Sequence, residues 1–379
     1  MRDVTIVGAG PVGTLLAGEL TRRGIDVELL ERRPEPGEAS RAIGIHSPVL
    51  AALEPSGVTD RLLADAVQVR RGEARSRGRL LGTVRFGALS ARFPFVATLP
   101  QSRTEAVLGA DAPDPLRGAH VTAVIPRPDA VVVRSRLLGR IIESESRLVV
   151  VAAGPSGRDL VYRPGAVASR EYRDRYLMTD AVTPPRGDDT VAVVHLDPDG
   201  VLESFPLPGG RRRFVAWDAP GGDDAIDART ERLRAALVGR GEPEAAAAVT
   251  GATSFGVRRV VAPRLRNGRI FAIGDTAHEV SPIGGQGMNL GLLDAVTLAP
   301  LVASWIATGD APDAQLQQWE TRRVGSARRA AALAFANTAL GRRLGGADAV
   351  RRSVVRAMLA PSTGAIFARA YAMGFDLDA

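Results

Sequence analysis

The 379-residue sequence contains no cysteine and no lysine. Without cysteine there are no disulfides, thiolate nucleophiles, zinc fingers or Cys-ligated iron–sulfur clusters. Without lysine there is no Schiff-base residue, no P-loop lysine and no lysine general base. Four histidines remain, His46, His120, His195 and His278, and no two are spaced as a metal pair, so no metal is expected. Aromatic residues make up 4% of the chain, too few for base-stacking platforms. No apolar run approaches the ~20 residues that span a bilayer, so no membrane partner is expected. The N-terminus enters a strand directly and shows no signal-peptide pattern, which points to a cytoplasmic location.

All 49 cationic residues are arginine, against 42 acidic ones, and 49 − 42 gives a net charge of +7. The arginines come as scattered pairs with acids among them, plus one triple at Arg211–Arg213. That is not a nucleic-acid-binding face, and the triple reads as a solvated hairpin strand. At roughly 150 residues per domain, the length suggests two domains.

Residues 3–7 read as a short buried strand, 11–23 as a helix and 26–30 as a second strand. Such a β–α–β unit implies a parallel sheet covered by helices. From 67 to 99 the pattern becomes alternating segments broken by glycine-rich turns, as in antiparallel strands. Helical character is expected at 104–109. Strands are expected at 121–125, 131–134 and 147–152. Further strands follow at 191–197, 201–205 and 211–217, then helical sequence at 228–250, a strand at 269–273 and helices near 287–306, 313–341 and 347–359. The two kinds of segment interleave. The expected fold class is therefore α/β: a Rossmann-like nucleotide domain (1–66, 102–165 and 258–345) with an inserted antiparallel β-sheet substrate domain (67–101 and 166–257) and a C-terminal helical tail (346–379).

Gly8-Ala9-Gly10-Pro11-Val12-Gly13 matches G-x-G-x-x-G, with a strand before it and a helix after it. Gly8 permits a tight turn. Gly10 lets the backbone approach a pyrophosphate at the positive helix N-terminus, and Gly13 allows close helix–strand packing. Glu31, 18 residues after Gly13, closes the next strand, where a carboxylate accepts hydrogen bonds from both ribose hydroxyls. It would repel a 2′-phosphate, so the adenosine belongs to FAD or NAD.

A second motif, RIFAIGDTAHEVSPIGGQGMNLG at 269–291, ends a strand at Gly274-Asp275 and runs through a Gly/Pro loop into a helix. The helix N-terminus near Gly287, Met288 and Asn289 would stabilise negative charge on a reduced flavin, and Asp275 is placed to hydrogen-bond a polyol. His278 reads as a structural turn residue rather than a phosphate or flavin contact, and His46 as either a flavin-facing residue or a structural one at a helix start.

With these motifs the sequence resembles the FAD-dependent aromatic hydroxylases of the p-hydroxybenzoate hydroxylase type, the class A flavoprotein monooxygenases, over most of residues 1–340. The resemblance implies that Arg41 contacts the FAD pyrophosphate and Gln101 the flavin side of FAD. It further implies that Asp275 binds ribityl and that the 284–290 loop borders the isoalloxazine. Arg32 and Val124 complete the expected cofactor set, and Pro282 and Gly285 are the flavin-loop candidates for catalysis. Asp294 and the WETRR stretch near 319 resemble the family's C-terminal pattern. One departure stands out: Ala153 occupies the place of the Asp in the family's middle G-A-D-G motif, an Asp associated with FAD and NAD(P)H binding.

The implied activity is FAD-dependent monooxygenation. NADPH or NADH would reduce FAD, O2 would add at C4a, and the hydroperoxide would pass one oxygen atom to an aromatic or polyene/polyketide-like small molecule, as in a tailoring step of secondary metabolism. Phe205 and Trp217 are the expected substrate contacts, and no general base is evident. A flavoprotein catalysing non-redox cyclisation or isomerisation is the alternative. A monooxygenase fed by a separate flavin reductase and a homodimer also stay open. A flavin-dependent halogenase is set aside, since no lysine and no W-x-W-x-I-P motif is present.

Overall fold

Two apolar strands and the turn between them set the frame. Strand β1 (Arg2–Val7) leads into helix α1 (Pro11–Thr21) and strand β2 (Val27–Glu31). Val4 and Ile6 are fully buried, and Leu15, Leu16 and Leu20 of α1 close over them. Each such side chain stabilises the fold by about 1.5–3 kcal/mol. In this computed structural model, residues 1–37, 42–88, 92–185, 187, 189–343, 347–360, 362–371 and 373 are described.

β1 lies between β2 and strand β3 (Arg140–Val151), parallel to both. Parallel strand β9 (Ile270–Ala272) extends the sheet beyond β3. The outer half of β3 also pairs antiparallel with Val131–Leu137, which pairs in turn with His120–Pro126. The second large sheet runs in the order His278–Glu279, β8 (Thr253–Val261), β4 (Ser169–Val182), β7 (Arg211–Asp218), β6 (Gly200–Leu207), β5 (Val191–Asp197), Arg71–Ser76 and Arg79–Arg85. Three short strands, Gly44–Ile45, Val96–Thr98 and Val67–Val69, bridge the two sheets. The hydroxyl of Thr98 donates to the Pro206 carbonyl at 2.7 Å and fastens this bridge to β6.

The α/β class with an inserted β-sheet holds, and several details differ from the sequence reading. Arg71–Ser76 pairs antiparallel with Arg79–Arg85, as expected, and parallel with β5. The 228–250 stretch is two helices, Ile226–Val238 and Pro243–Ala247, because Gly241 turns left-handed (φ 78°) and Pro243 starts the next helix. Arg211–Arg213 is not a solvated strand. Arg212 is buried and its guanidinium donates to the Ser204 hydroxyl and the Val191 carbonyl, both at 2.8 Å. Arg213 is buried against Asp180 at 2.6 and 2.8 Å.

The expectation that no apolar segment reaches membrane-spanning length is also corrected. Helix α4 (Gln286–Thr308) passes that test by length and composition, with a mean hydropathy of 1.7 in its most apolar window. Here it is a core helix. It follows α2 (Ser47–Leu53) and α3 (Gln101–Gly109) in the chain and shares the main apolar core with α1, α2 and the long helix α5 (Asp313–Gly341). Its buried Asn289 and Asp294 are fully satisfied inside the protein. Helices α6 (Asp348–Met358) and α7 (Gly364–Tyr371) pack beside the second sheet.

Candidate active site

The C-terminal ends of β1, β2, β3 and β9 face a cavity of about 770 Å³. That edge is where open parallel sheets place their ligand sites. The cavity runs from the Gly8 turn and Glu31, past the 282–288 loop, to the face of the second sheet at Met178, Glu203, Phe205 and Val215.

The nucleotide end is built by backbone proximity. Gly8 has φ 108°, and its N–H donates to the Leu30 carbonyl at 2.7 Å. A Cβ on Gly8 would lie 2.6 Å from the Ala152 carbonyl oxygen, and one on Gly13 would overlap the Gly8 carbonyl oxygen. Gly10 has nothing within 4 Å of its Cβ position and caps α1 with φ −80°. Its openness is a cradle that a side chain would fill, as the approach of a pyrophosphate requires.

Glu31 is 5% exposed and lines this end of the cavity. Its carboxylate accepts from the Ala9 N–H at 2.9 Å and from the Arg33 N–H and Nε at 2.9 and 3.0 Å. Burial pushes this carboxyl up, but the hydrogen bonds from Arg33 and Ala9 outweigh it and hold it below the usual carboxylate range. Glu31 is thus an anion beside the Gly8 turn at neutral pH.

At the other loop, α1 and α4 both present N-termini without a side-chain cap and without an acid in the first turn. Their first N–H groups are unsatisfied within the helix, and both helix starts line the cavity at Gly10–Val12 and Gly285–Met288. Two donor-rich helix ends together with the Glu31 carboxylate suit a ligand carrying phosphates, a ribose and an electron-rich ring. The residues present therefore fit FAD.

Of the residues singled out from sequence, the cavity wall unites Gly8, Gly10, Pro11, Val12, Glu31, Arg32, Gln101, Gly274, Asp275, Pro282, Gly285, Gly287, Met288 and Phe205. Arg41 lies outside the described residues. Gly13 sits one turn back, against Gly8. Asn289 is set behind the wall, where its side-chain amide donates to the Gly44 and Gly285 carbonyls and accepts from the His46 N–H at 2.8 Å. It holds the α2 entrance to the flavin-side loop.

Two expectations place residues where the wall is not. Val124 packs into the apolar cluster of the main sheet, while Ala119, His120 and Val121 of the same segment line the cavity. Trp217 lies on the right strand but two residues beyond Val215. It packs over Gly200, and its indole N–H donates to Asp174 at 3.2 Å.

His278 is a structural residue. Its Nε2 donates to Asp294 at 2.6 Å, and the same carboxylate takes the Gly274 N–H at 3.1 Å and Arg323 Nε at 2.8 Å. All three side chains are at most 2% exposed. Burial acts to raise the Asp294 pKa, but His278 and Arg323 together hold it well below the usual range. This cluster pins the start of the Gly274–Pro282 loop to α4 and α5. His46 lines the cavity at the start of α2.

Among the polar wall residues not singled out from sequence, Glu203 stands on the apolar sheet face. Glu203 is 4% exposed and two residues before Phe205 on β6. Strand alternation puts both side chains on one face, so the period of two is the signal that could have found it.

The profile of the FAD-binding domain family matches residues 1–334. A 6-methylpretetramide 4-monooxygenase of Streptomyces rimosus is 33% identical over 339 residues, covering 85% of this chain and 59% of its own. The structure of an anhydrotetracycline hydroxylase from Streptomyces rimosus superposes with a TM-score of 0.78 at 27% identity, over 98% of this chain and 76% of that one. A p-nitrophenol 4-monooxygenase from Pseudomonas putida DLL-E4 shares the fold with a TM-score of 0.86 at 20% identity, over 100% and 98%. The chain spans 59% to 66% of the length of four curated relatives.

Proposed function

The chain belongs to the FAD-binding domain family of flavoprotein monooxygenases related to p-hydroxybenzoate hydroxylase, and from that membership we propose that it is an FAD-dependent monooxygenase of an aromatic or unsaturated small molecule. One observation carries the reading. A single cavity joins the dinucleotide turn at Gly8–Gly10 to an apolar sheet face at Met178, Phe205 and Val215, with the 282–288 loop between them. Bound FAD would supply the electron transfer and the activation of O2. The chain supplies binding, orientation and exclusion of water.

Glu31 would accept the ribose hydroxyls of the adenosine, and the Gly8–Val12 turn and α1 N-terminus would take the pyrophosphate. Asp275, exposed at the end of β9, would hold the ribityl hydroxyls. Gln101 is already oriented, accepting from the Ala42 N–H at 3.1 Å and donating to Glu105 at 2.8 Å, and would meet the flavin side. The α4 N-terminus would stabilise charge on the reduced ring. Glu31→Gln keeps the shape and removes the charge. The expected result is roughly tenfold weaker FAD retention, measured by equilibrium dialysis.

Ala153 favours a second reading for electron supply. It lines the cavity at the start of the Gly154–Leu160 turn and brings no carboxylate to the wall. NADPH or NADH would reduce the flavin directly in the first reading, and a separate reductase would do so in the second. Anaerobic titration with each nucleotide, watching the visible flavin band with and without phenols, decides between them. Bleaching accelerated by an aromatic ligand supports a self-sufficient enzyme. A band that yields only to dithionite points to a separate electron donor. A colourless protein that takes up no FAD contradicts the proposal.

A further inference from the structure

The part of the sheet face that β4 to β7 bring to the cavity is apolar except at Glu203 and Arg213. Cross-strand register sets Glu203 between Val194 of β5 and Val215 of β7, and Phe205 opposite Arg213. The Arg213 guanidinium is engaged by Asp180. Glu203 differs. It lines both the main cavity and an adjoining one of about 100 Å³ behind Ile283, and it has no hydrogen-bond partner among the described residues.

A buried carboxylate without a partner is costly, so such a group takes up a proton instead. Burial alone pushes the Glu203 carboxyl up to about 8. The other ionisable groups around it do not reverse this. Glu73 borders the smaller cavity but is paired with Arg75 at 2.7 Å. Tyr371 of α7 and Tyr176 of β4 are phenols that burial keeps neutral. Asp180 is taken by Arg213. At neutral pH the wall therefore offers one carboxylic O–H donor among Phe86, Ala192, Phe205, Val215 and Ile283.

We propose that Glu203 anchors the substrate by donating a hydrogen bond to a carbonyl or phenolic oxygen on an otherwise apolar ring system, with Phe205 beside it against the ring. This rests on the monooxygenase reading of the cavity and names its substrate class. An ionised Glu203 has no proton to give and would repel a carbonyl lone pair, so the anchor for a carbonyl works only in its protonated form. A hydrocarbon ring without oxygen leaves the acid unpaired and gains nothing from it.

Two probes of one shape separate these cases: 1-tetralone, which carries a ring carbonyl, and tetralin, which lacks it. Neither ionises, so any pH dependence belongs to the protein. Dissociation constants are measured by calorimetry on the FAD-loaded chain, well below and well above pH 8. The wild type is expected to prefer tetralone by roughly tenfold at the lower pH and to lose the preference at the higher one. Glu203→Gln retains an N–H donor and is expected to keep the preference at both. Glu203→Leu is expected to lose it while still binding tetralin and holding flavin.

A wild type that does not distinguish the probes, or a leucine variant that still does, overturns the proposal. So does a wild-type preference that is the same at both pH values. The monooxygenase reading fails separately, through a chain that takes up no FAD, and that result is visible in the colour of the preparation whatever the calorimetry gives.

Discussion

Gly13→Ala is expected to lower stability by about 3 kcal/mol and leave the purified chain without flavin, whereas Gly10→Ala is expected to fold normally and bind FAD at least roughly tenfold more weakly. The two glycines are three residues apart in one motif, and their surroundings are opposite. A Cβ on Gly13 overlaps the backbone oxygen of Gly8, so α1 must move away from β1. Backbone cannot give way as a side-chain tip can. A Cβ on Gly10 meets nothing within 4 Å, and φ −80° suits alanine. Removing a glycine there stabilises the ligand-free chain by about 0.5 kcal/mol through the unfolded state. The added methyl then occupies the space through which a pyrophosphate approaches the α1 amides. Chemical denaturation of the apo forms, paired with FAD dissociation constants, checks both halves. A Gly10 variant with unchanged FAD affinity contradicts the placement of the pyrophosphate.

Asp294→Ala is expected to cost about 3–5 kcal/mol, because it strands Arg323 as an unpaired buried cation and frees both His278 and the Gly274 N–H. Replacing Asp294 and Arg323 together by leucine is expected to cost less than the single change, since no charge is then left unpaired. The sign of the pH dependence follows from the depressed carboxyl. Its contribution is complete above the ordinary value of 3.8 and is lost as pH falls through about 2. Acid denaturation of the wild type and the double variant, compared over that window, measures it. A single variant as stable as the wild type would show that the Gly274–Pro282 loop does not depend on this cluster.

Much of this was legible in the sequence because it depends on local pattern. The strand–Gly8–α1–strand unit and the run from Gly274 into α4 carry their own punctuation, and helix α5 matches its expected 313–341 span. Segments whose identity depends on distant partners were not legible. β4, with 14 residues and six charged ones, gives no clean alternation, because its first half is mostly exposed and its second half mostly buried. Arg212 and Arg213 read as solvated because nothing local shows that Ser204, Val191 and Asp180 fold over them.

The site shows the same division. Gly8, Gly10, Glu31 and Asp275 belong to motifs and meet at one cavity. Glu203, Phe205 and Trp217 are selected by strand register and by how far along β6 and β7 the cavity extends, which no single strand records. Alternation allows Glu203, Phe205 and Trp217, and only the packing of the 282–285 loop against the sheet decides that the first two face the cavity. The Asp294–Arg323 pair spans 29 residues of chain, so the WETRR stretch shows that an arginine is present and not what it holds.

The most direct test of oxygen transfer bypasses the question of electron supply. The FAD-loaded chain is reduced anaerobically with dithionite and mixed with isotopically heavy O2 in the presence of phenolic and polycyclic ketone probes, and the products are weighed by mass spectrometry. The account predicts at least one organic product carrying a single heavy oxygen atom. Recovery of all the heavy oxygen as hydrogen peroxide, with every probe unchanged, would contradict it.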